Sequence, residues 1–368
     1  MDPIKILRRA WYILWSYRAL WVFGLVLALA AGSSTGSRGN NSVQWQEDGN
    51  NPPPTPQSMQ EAFRDFQREL NRLFEQGIPH MNISGPELTT FLWVIGAFIL
   101  VMTIVGVVVA IARYVSETAV IRMVDEYEGT GNKMTVRQGF RIGWSRTAWR
   151  LFLINLIVSL PAIALVLVLL IAGVSVYFAV VNGNANFATF SVVSMIVLVF
   201  ITIFVVVILT ILLHLLRNFF WRICVLENAS VRESLQRGFA MVLENWKNVG
   251  LMWLVMVGLG IVWAIASIIL IIVTIPVVIV TAVIAALVVA APYLLLVGAF
   301  SLFLNGVLPW IAGGLFVIPL FFTIAFSPWL LLGSWQTVYT STVWTLTYRE
   351  IKALPALKPE TAVAPVGN

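Results

Sequence analysis

The chain has 368 residues, of which 59% are hydrophobic and only 11% are charged, and its formal net charge is +6. Soluble proteins carry about 25% charged residues, so this composition excludes an ordinary water-soluble domain. No Asp, Glu, Lys or Arg occurs in 151–216 or in 248–348. Uncharged apolar stretches of this length are typical of membrane-spanning helices. The sequence therefore predicts an all-α, polytopic transmembrane helix bundle with about six spans.

The first four predicted spans are separated by clear polar or basic segments. They cover residues 10–31, 88–112, 151–181 and 189–216. The last block, 248–348, must cross the membrane an even number of times. Two long helices, 249–290 and 316–348, joined by an apolar segment at 292–315 that dips into the outer leaflet, give six spans in all. Four crossings would give eight, but no charge anchors the cytoplasmic turn which that arrangement needs near Pro292, so six are preferred.

The basic residues orient the chain in the membrane. Of the 23 Lys and Arg residues, all except Arg38, Arg64, Arg68 and Arg72 lie in the N-terminal arm, in 113–150, in 217–247 or in the C-terminal tail. Cytoplasmic segments of membrane proteins are enriched in Lys and Arg. We therefore expect a multi-pass protein of the bacterial cytoplasmic membrane with both termini in the cytoplasm. A formal charge that is confined to the ends of apolar runs does not indicate a nucleic-acid partner.

These spans and loops divide the chain into five segments. An interfacial helix with the first span (1–31) is followed by an extracytoplasmic loop (32–87) and by spans two to four with cytoplasmic basic helices (88–247). A last membrane block (248–353), charge-free up to Tyr348, and a cytoplasmic tail (354–368) complete the chain.

Within the outer loop, residues 58–76 have the pattern of an amphipathic helix. Ser58 and Glu61 form a capping-box pattern at its start. Apolar residues then recur every three or four positions, from Met59 to Phe74. Such a helix packs on the outer ends of its own spans or lies on the bilayer, or it docks a membrane-protein partner or a second copy of the chain. Both interpretations stay open.

Three basic segments next to predicted spans share one pattern. Each begins with a residue that favours a helix N-cap: Asp2, Thr135 and Ser230. Gln138 and Glu233 complete capping boxes in the second and third segments. Each segment then has an apolar residue five positions after the cap (Leu7, Phe140, Leu235) and a small residue followed by an aromatic one at positions eight and nine (Ala10–Trp11, Gly143–Trp144, Gly238–Phe239). The pattern predicts a repeat of cytoplasmic interfacial amphipathic helices, each followed by a span.

The repeated helices carry the candidate lipid- or partner-facing arginines, which are Arg8, Arg9, Arg137, Arg141, Arg232 and Arg237. Basic residues at this depth are attracted to anionic headgroups, and Trp prefers the membrane interface. The segments therefore act as interfacial anchors, or they form a basic collar that binds anionic lipids or a cytoplasmic partner.

The basic surface helices, the Asn245–Trp246 step before a span and the closing run from Trp344 to Glu350 resemble a group of largely uncharacterised bacterial six-span membrane families. One of these is the membrane domain fused to some glycerophosphodiester phosphodiesterases. The resemblance covers most of the chain except 32–87. It implies a six-span fold but not the hydrolase activity, because the phosphodiesterase is a separate soluble barrel with metal-binding residues for which this chain has no room.

Residues that carry catalysis or bind metals are scarce. The chain has two histidines, His80 and His214, and one cysteine, Cys224, which lies in an apolar run. We therefore predict no catalytic residue, no metal site, no cofactor and no enzymatic activity. The acidic run Asp125–Glu128 is interpreted as a solvated turn, and His214 as an interfacial residue rather than a proton relay. The predicted spans contain essentially no ionisable residue, which counts against a proton-coupled pump.

Two features of the last block allow a transport function as the alternative. Prolines at 276, 292, 309, 319 and 328 are expected to break its helices. The final helix has a stripe of hydroxyl residues that bond neighbouring helices or line a polar cavity: Ser334, Thr337, Ser341 and Thr345. The preferred function is a non-enzymatic membrane protein that organises lipids or membrane partners through its basic helices. The alternative is a transporter or permease for an uncharged or lipid-like substrate.

Overall fold

The computed structural model describes residues 1–35, Arg68, 85–181 and 185–357. These residues are mainly α-helical, with no β-strand among them, and the predicted all-α transmembrane bundle is confirmed. The helices are α1 (Pro3–Ser16), α2 (Ala19–Thr35), α3 (Gly85–Thr130), α4 (Val136–Gly143), α5 (Arg146–Val181), α6 (Ala185–Leu226), α7 (Val231–Glu244), α8 (Trp246–Phe300), α9 (Leu308–Ala325) and α10 (Ser327–Leu357). Of the proposed outer helix 58–76, all residues except Arg68 lie outside the described residues.

Five of these helices are long and apolar enough to cross a membrane, namely α3, α5, α6, α8 and α9. The pair α1 and α2 makes a sixth if its two helices are counted as one span. Helix α8 has 55 residues, which is about 80 Å at 1.5 Å per residue. The hydrocarbon core of a bilayer is only about 30 Å thick, so this helix extends beyond it or crosses it at a steep tilt.

The predicted first span, 10–31, is not one straight helix. Helix α1 ends at Ser16, and α2 begins at Ala19 after a bend of 100°. The buried Tyr17 holds this corner, because its hydroxyl donates to the carbonyl oxygen of Met134 at 2.9 Å. The indole Nε1 of Trp21 donates to the carbonyl oxygen of Leu14 at 2.8 Å. The first of the three basic surface helices therefore extends to Ser16.

The helix bounds predicted for the last block are wrong. Helix α8 runs unbroken to Phe300 although it contains Pro276 and Pro292. The predicted helix 316–348 is two helices, α9 and α10, which meet at Phe326. Of the five prolines, those at 309 and 328 lie in the first turns of α9 and α10, where a helix tolerates proline. Pro319 lies inside α9. The expected helix breaks are therefore absent at Pro276, Pro292 and Pro319, whereas Pro309 and Pro328 directly follow the two breaks of the last block, at 301–307 and at Phe326.

Helix α3 also extends further than the sequence suggested. It continues to Thr130 and ends at Gly131, which has a φ of 75°. The acidic residues Asp125 and Glu128 are consequently helical, and the interpretation of this run as a solvated turn is wrong. Both carboxylates form ion pairs, Asp125 with Arg349 and Glu128 with Arg9.

The main hydrophobic core lies at one end of the bundle, which we call the basic end. It unites apolar residues of α1 and α2, the C-terminal parts of α3, α6 and α10, and the N-terminal parts of α5 and α8. Helices α4 and α7 pack onto this core. The backbone N–H of Asp2 lies 3.3 Å from Oε1 of Glu350, so the start of α1 and the end of α10 are neighbours. Towards the other end, most apolar side chains of the long helices are exposed, as expected for surfaces that face lipid.

Candidate functional site

The three basic surface helices are closed at their N-termini by side-chain caps. Asp2 accepts hydrogen bonds from the backbone N–H groups of Ile4 and Lys5. Thr135 with Gln138 and Ser230 with Glu233 form the two predicted capping boxes, which are confirmed. Each cap satisfies backbone donors that the first turn leaves unpaired. The bounds of these short helices therefore follow from local sequence.

Burial follows the same register in all three helices. The residues four and eight positions after the cap are buried: Ile6 and Ala10 in α1, Gly139 and Gly143 in α4, and Ser234 and Gly238 in α7. The aromatic residue at the ninth position is exposed to 52% for Trp11, 62% for Trp144 and 50% for Phe239. Each helix thus packs through one face and presents an aromatic side chain on another.

The small residues allow close packing of backbones. A Cβ atom added to Gly143 would lie 2.4 Å from the carbonyl oxygen of Val115. A Cβ atom added to Gly238 would lie 2.4 Å from the ring of Phe220. Backbone atoms cannot move aside as a flexible side chain can, so α4 can rest on α3 in this way only with glycine at position 143.

All six candidate arginines are exposed at the basic end, but they are not equivalent. Arg9 pairs with Glu128, with Nε 2.6 Å from Oε1. Arg237 pairs with Glu227 at 3.1 Å and with Glu233 at 2.5 Å. In the part of the chain that the structure describes, no ion pair involves the other four, which are Arg8, Arg137, Arg141 and Arg232. Those four are available to an external anion.

Glu227 ties three helices together at the basic end. It follows the last residue of α6, and its Oε1 accepts hydrogen bonds from Tyr348 at 2.6 Å and Lys352 at 2.7 Å, both in α10. Its Oε2 accepts from Arg237 of α7. Burial alone would raise the pKa of this carboxyl, but the hydrogen bonds from Lys352, Tyr348 and Arg237 outweigh it and lower the pKa. The pKa of Tyr348 is raised by burial and by its bond to Glu227.

A buried polar connection links α3, α6 and α10, and the sequence analysis missed it. Arg222 is only 1% exposed, and its Nη2 donates to the carbonyl oxygen of Ser341 at 3.0 Å. The hydroxyl of Ser341 donates to Oε1 of the buried Glu117 at 2.8 Å. Nη1 of Arg222 donates to the carbonyl oxygen of Asn218 at 2.7 Å. The two opposite charges are thus joined through Ser341, whose carbonyl oxygen bonds to Arg222 and whose hydroxyl bonds to Glu117.

His214 belongs to a second group of polar contacts on α6. Arg217 has one Nη atom 2.8 Å from Nδ1 of His214 and the other 3.1 Å from Oδ1 of Asn155 in α5. Its guanidinium also lies over the ring of Trp221, 5.0 Å from the centroid. His214 is therefore engaged with Arg217, which links α6 to α5.

The hydroxyl stripe of α10 bonds partly to other helices and partly to its own. Ser334 donates to the carbonyl oxygen of Trp21 at 3.1 Å, and Ser341 donates to Glu117. Thr337 and Thr345 donate to the carbonyl oxygens of Gly333 and Ser341 at 2.8 Å within α10. Two of the four hydroxyls therefore join α10 to α2 and α3.

Beside the stripe, a cavity of about 140 Å³ lies between α1, α8 and α10. Its lining includes Trp11, Trp15, Trp263, Trp335, Gln336 and Thr340. A neighbouring cavity between α8 and α10 shares Trp263 and Gln336. The four stripe residues do not line either cavity. Both cavities are mainly apolar and aromatic. The polar groups of the first include the Gln336 amide and the hydroxyls of Tyr339 and Thr340.

The described residues contain no group of three or more His, Cys, Asp or Glu side chains placed to hold a metal ion. Cys224 is buried, and its Sγ lies 3.7 Å from the carbonyl oxygen of Ala229. Within the described residues the candidate site consists mainly of basic, aromatic and hydroxyl groups.

The fold and these surfaces define a multi-pass helical membrane protein. Residues 9–337 match the family described as "Family of unknown function (DUF7544)", and the chain belongs to that family. No curated protein and no solved structure matches the chain. The resemblance to the membrane domain of certain glycerophosphodiester phosphodiesterases stays a prediction.

Proposed function

We propose that this protein, without enzymatic activity, organises anionic lipids or membrane partners through the exposed arginines and aromatic residues of its basic end. In this proposal the basic end lies at the cytoplasmic face of a bacterial membrane, and both termini lie in the cytoplasm. The orientation is supported by the positions of the basic residues, since Lys and Arg accumulate on that side. The bacterial membrane is supported by the resemblance to bacterial six-span families.

The observation that carries the proposal is the shared register of α1, α4 and α7. Arg8 lies three residues before the exposed Trp11, and Arg141 three residues before the exposed Trp144. Arg232 lies two helical turns before Phe239. Residues at these spacings share a helix face. A guanidinium beside an aromatic ring suits the interface, where the ring lies among headgroups and the charge contacts a phosphate. The matching faces also support a repeated structural unit.

The number of unpaired arginines decides the expected strength of binding. Arg9 and Arg237 already neutralise carboxylates of the protein, so Arg8, Arg137, Arg141 and Arg232 form the proposed collar. Each basic residue near an anionic surface contributes about 1 kcal/mol. Replacing all four with Gln should therefore remove most of the preference for anionic lipid, and a single replacement only part of it.

Native mass spectrometry tests this proposal. The full chain is reconstituted in equimolar phosphatidylglycerol and phosphatidylcholine with identical acyl chains, and the bound lipids are counted. The fourfold Gln variant should lose the excess of phosphatidylglycerol. The matched control, Arg9→Gln with Arg237→Gln, should lose thermal stability but keep most of the lipid preference. An unchanged excess in the fourfold variant would refute the collar.

A second candidate function is a transporter or permease for an uncharged or lipid-like substrate. The aromatic cavity between α1, α8 and α10 favours it, since ligand sites are mostly apolar with a few polar groups, as Gln336 and Thr340 are here. Single Gln336→Cys and Thr340→Cys variants in a Cys224→Ala background test this candidate. Rapid reaction with a small polar thiol reagent would support a path open to water. Protection of both cysteines would contradict the transporter and favour the lipid-organising function.

A further inference from the structure

A separate cavity of about 650 Å³ opens between α3 and the junction of α4 with α5. This volume lies within the roughly 300–1,000 Å³ that is common for ligand pockets. Its inner wall is a stripe of α3 formed by Val107, Ala110, Ile111 and Tyr114. Residues at these spacings share a helix face. The stripe is apolar up to Tyr114 and lies within a helix that is long and apolar enough to span the bilayer, so an acyl chain can lie along it.

Aromatic rings form the opposite wall. Trp149 and Phe152 of α5 are stacked with centroids 5.0 Å apart, and Phe152 meets Tyr114 edge-on at 5.7 Å. Trp144, at the end of α4, also lines the space. Tyr and Trp are enriched where the hydrocarbon core meets the headgroups. The cavity therefore has an apolar stripe on one helix and an interfacial aromatic wall on the other.

The charged group of the cavity lies at the start of α5. Ser145 and Arg146 line it, and α5 begins at Arg146. Backbone N–H groups in the first turn of a helix attract anions. No carboxylate lines the cavity, and among the described residues no ion pair involves Arg146. The charged part of the cavity is thus positive and uncompensated.

We propose that this cavity binds one anionic glycerophospholipid. One acyl chain lies along the stripe from Val107 to Ile111, and the phosphate lies at Arg146 and the first turn of α5. This inference rests on the proposed function, because it requires the basic end to lie at the headgroup level. It goes further in assigning one lipid to one cavity that opens at the protein surface, whereas the collar of α1, α4 and α7 binds lipids loosely.

Filling the cavity tests the site. Ala110 is exposed within the stripe, so Ala110→Trp would occupy the acyl-chain space without displacing a buried residue. Val105 lies in the same helix on a different face and is also exposed, so Val105→Trp is the matched control. Arg146→Gln removes the positive charge that lines the cavity. Each variant is compared by native mass spectrometry in the lipid mixture described above, with melting temperature as a measure of folding.

The wild-type chain should retain one phosphatidylglycerol under collisional activation that removes the others. Ala110→Trp should lose that lipid at an unchanged melting temperature, and Val105→Trp should keep it. Arg146→Gln should reduce the preference for phosphatidylglycerol over phosphatidylcholine about fivefold, as expected for one basic residue. A phosphatidylglycerol with a diazirine in one acyl chain should cross-link to peptides that cover 107–115 or 144–152.

Retention of the tightly held lipid by Ala110→Trp, or cross-links confined to other segments, would overturn the site. The two kinds of bound lipid on wild type, loosely held and tightly held, separate the two proposals. If wild type shows no excess of loosely held phosphatidylglycerol but keeps the single lipid, the collar fails and the cavity site stands. If the excess is present and no single lipid resists activation, the cavity site fails and the collar stands.

Discussion

Arg222 donates from Nη2 to the carbonyl oxygen of Ser341 at 3.0 Å, and so joins α6 to α10 inside the basic end. The hydroxyl of the same serine donates to Glu117 of α3 at 2.8 Å. One residue therefore connects a buried cation with a buried anion. Removing one partner of such a connection is costly, because the remaining group stays buried without its hydrogen bond.

We expect Ser341→Ala to destabilise the protein by about 1–3 kcal/mol, the range for a buried polar group that is left unsatisfied. The matched control is Thr345→Val, since the Thr345 hydroxyl bonds only to a carbonyl oxygen of its own helix. The Thr345→Val substitution should destabilise the protein clearly less, because it preserves side-chain shape and leaves all charges paired. Thermal unfolding in detergent measures both. Equal losses in the two variants would contradict the bridging role of Ser341.

Reactivity of the stripe towards thiol reagents gives an independent prediction. Ser341 and Thr345 are buried. We therefore expect single Ser341→Cys and Thr345→Cys variants, in a Cys224→Ala background, to stay unreactive towards small polar reagents. Mass spectrometry of the intact protein follows the labelling. Fast modification at either position would indicate a water-filled path and would favour the transporter function.

The sequence was most informative where structure is decided locally. The capping boxes of Thr135 with Gln138 and of Ser230 with Glu233 lie within a few residues, so the starts of α4 and α7 could be predicted. The last block was predicted less well, because a long apolar segment contains few signals for where a helix ends. The dipeptide Asn305–Gly306 is one such signal, since Gly306 adopts a φ of 65° in the turn before α9. Pro309 and Pro328, in the first turns of α9 and α10, are others.

The buried connection among Glu117, Arg222 and Ser341 could not be predicted from spacing. These residues lie far apart in the sequence and meet only because α3, α6 and α10 pack together at the basic end. Glu117 and Arg222 lie beyond the predicted ends of their spans, so they were assigned to solvated connections. Helix length was the missing information: α3 continues to Thr130 and α6 to Leu226.

The interactions of Glu227 predict that the stability of the protein depends on pH. Its pKa is lowered in the folded protein, because bonds from Lys352, Tyr348 and Arg237 outweigh the effect of burial. A carboxyl with a lowered folded pKa stabilises the protein above its unfolded pKa, which is about 4.3 for glutamate. The contribution is lost as the pH falls through the folded pKa. We expect the melting temperature of wild type to decrease as the pH is lowered below about 4.

The corresponding substitution separates Glu227 from other carboxyls. Glu227→Gln should be less stable than wild type at neutral pH, and the difference should shrink as the pH falls, since wild type then loses the same charge. Glu244→Gln is the control, because Glu244 is exposed at the end of α7. A constant difference between Glu227→Gln and wild type from pH 7 to pH 3 would show that the Glu227 charge does not supply the stability.

The close contact of α4 with α3 predicts opposite effects of alanine at two glycines. Gly143→Ala should destabilise the protein by about 1–3 kcal/mol, because overpacking has costs of this size and the new Cβ would meet the carbonyl oxygen of Val115. Gly258→Ala in α8 should be neutral or stabilising by up to about 1 kcal/mol, since alanine favours helix more than glycine does. Nothing lies within 4 Å of a Cβ at Gly258. Melting temperatures distinguish these outcomes. An unchanged melting temperature for Gly143→Ala would refute the close contact of α4 with α3.

The proposed orientation predicts which positions are accessible from outside the cell. We expect Trp45→Cys and Ala185→Cys to react with an impermeant thiol reagent added to intact cells, because the loops before α3 and α6 are proposed to face outward. Glu360→Cys should react only after the membrane is permeabilised. A Cys224→Ala background removes the native thiol. The Lys and Arg distribution supplies the physical reason, since basic loops stay on the cytoplasmic side. Labelling of Glu360→Cys in intact cells, or protection of Trp45→Cys, would reverse the orientation and place the basic collar on the outer surface.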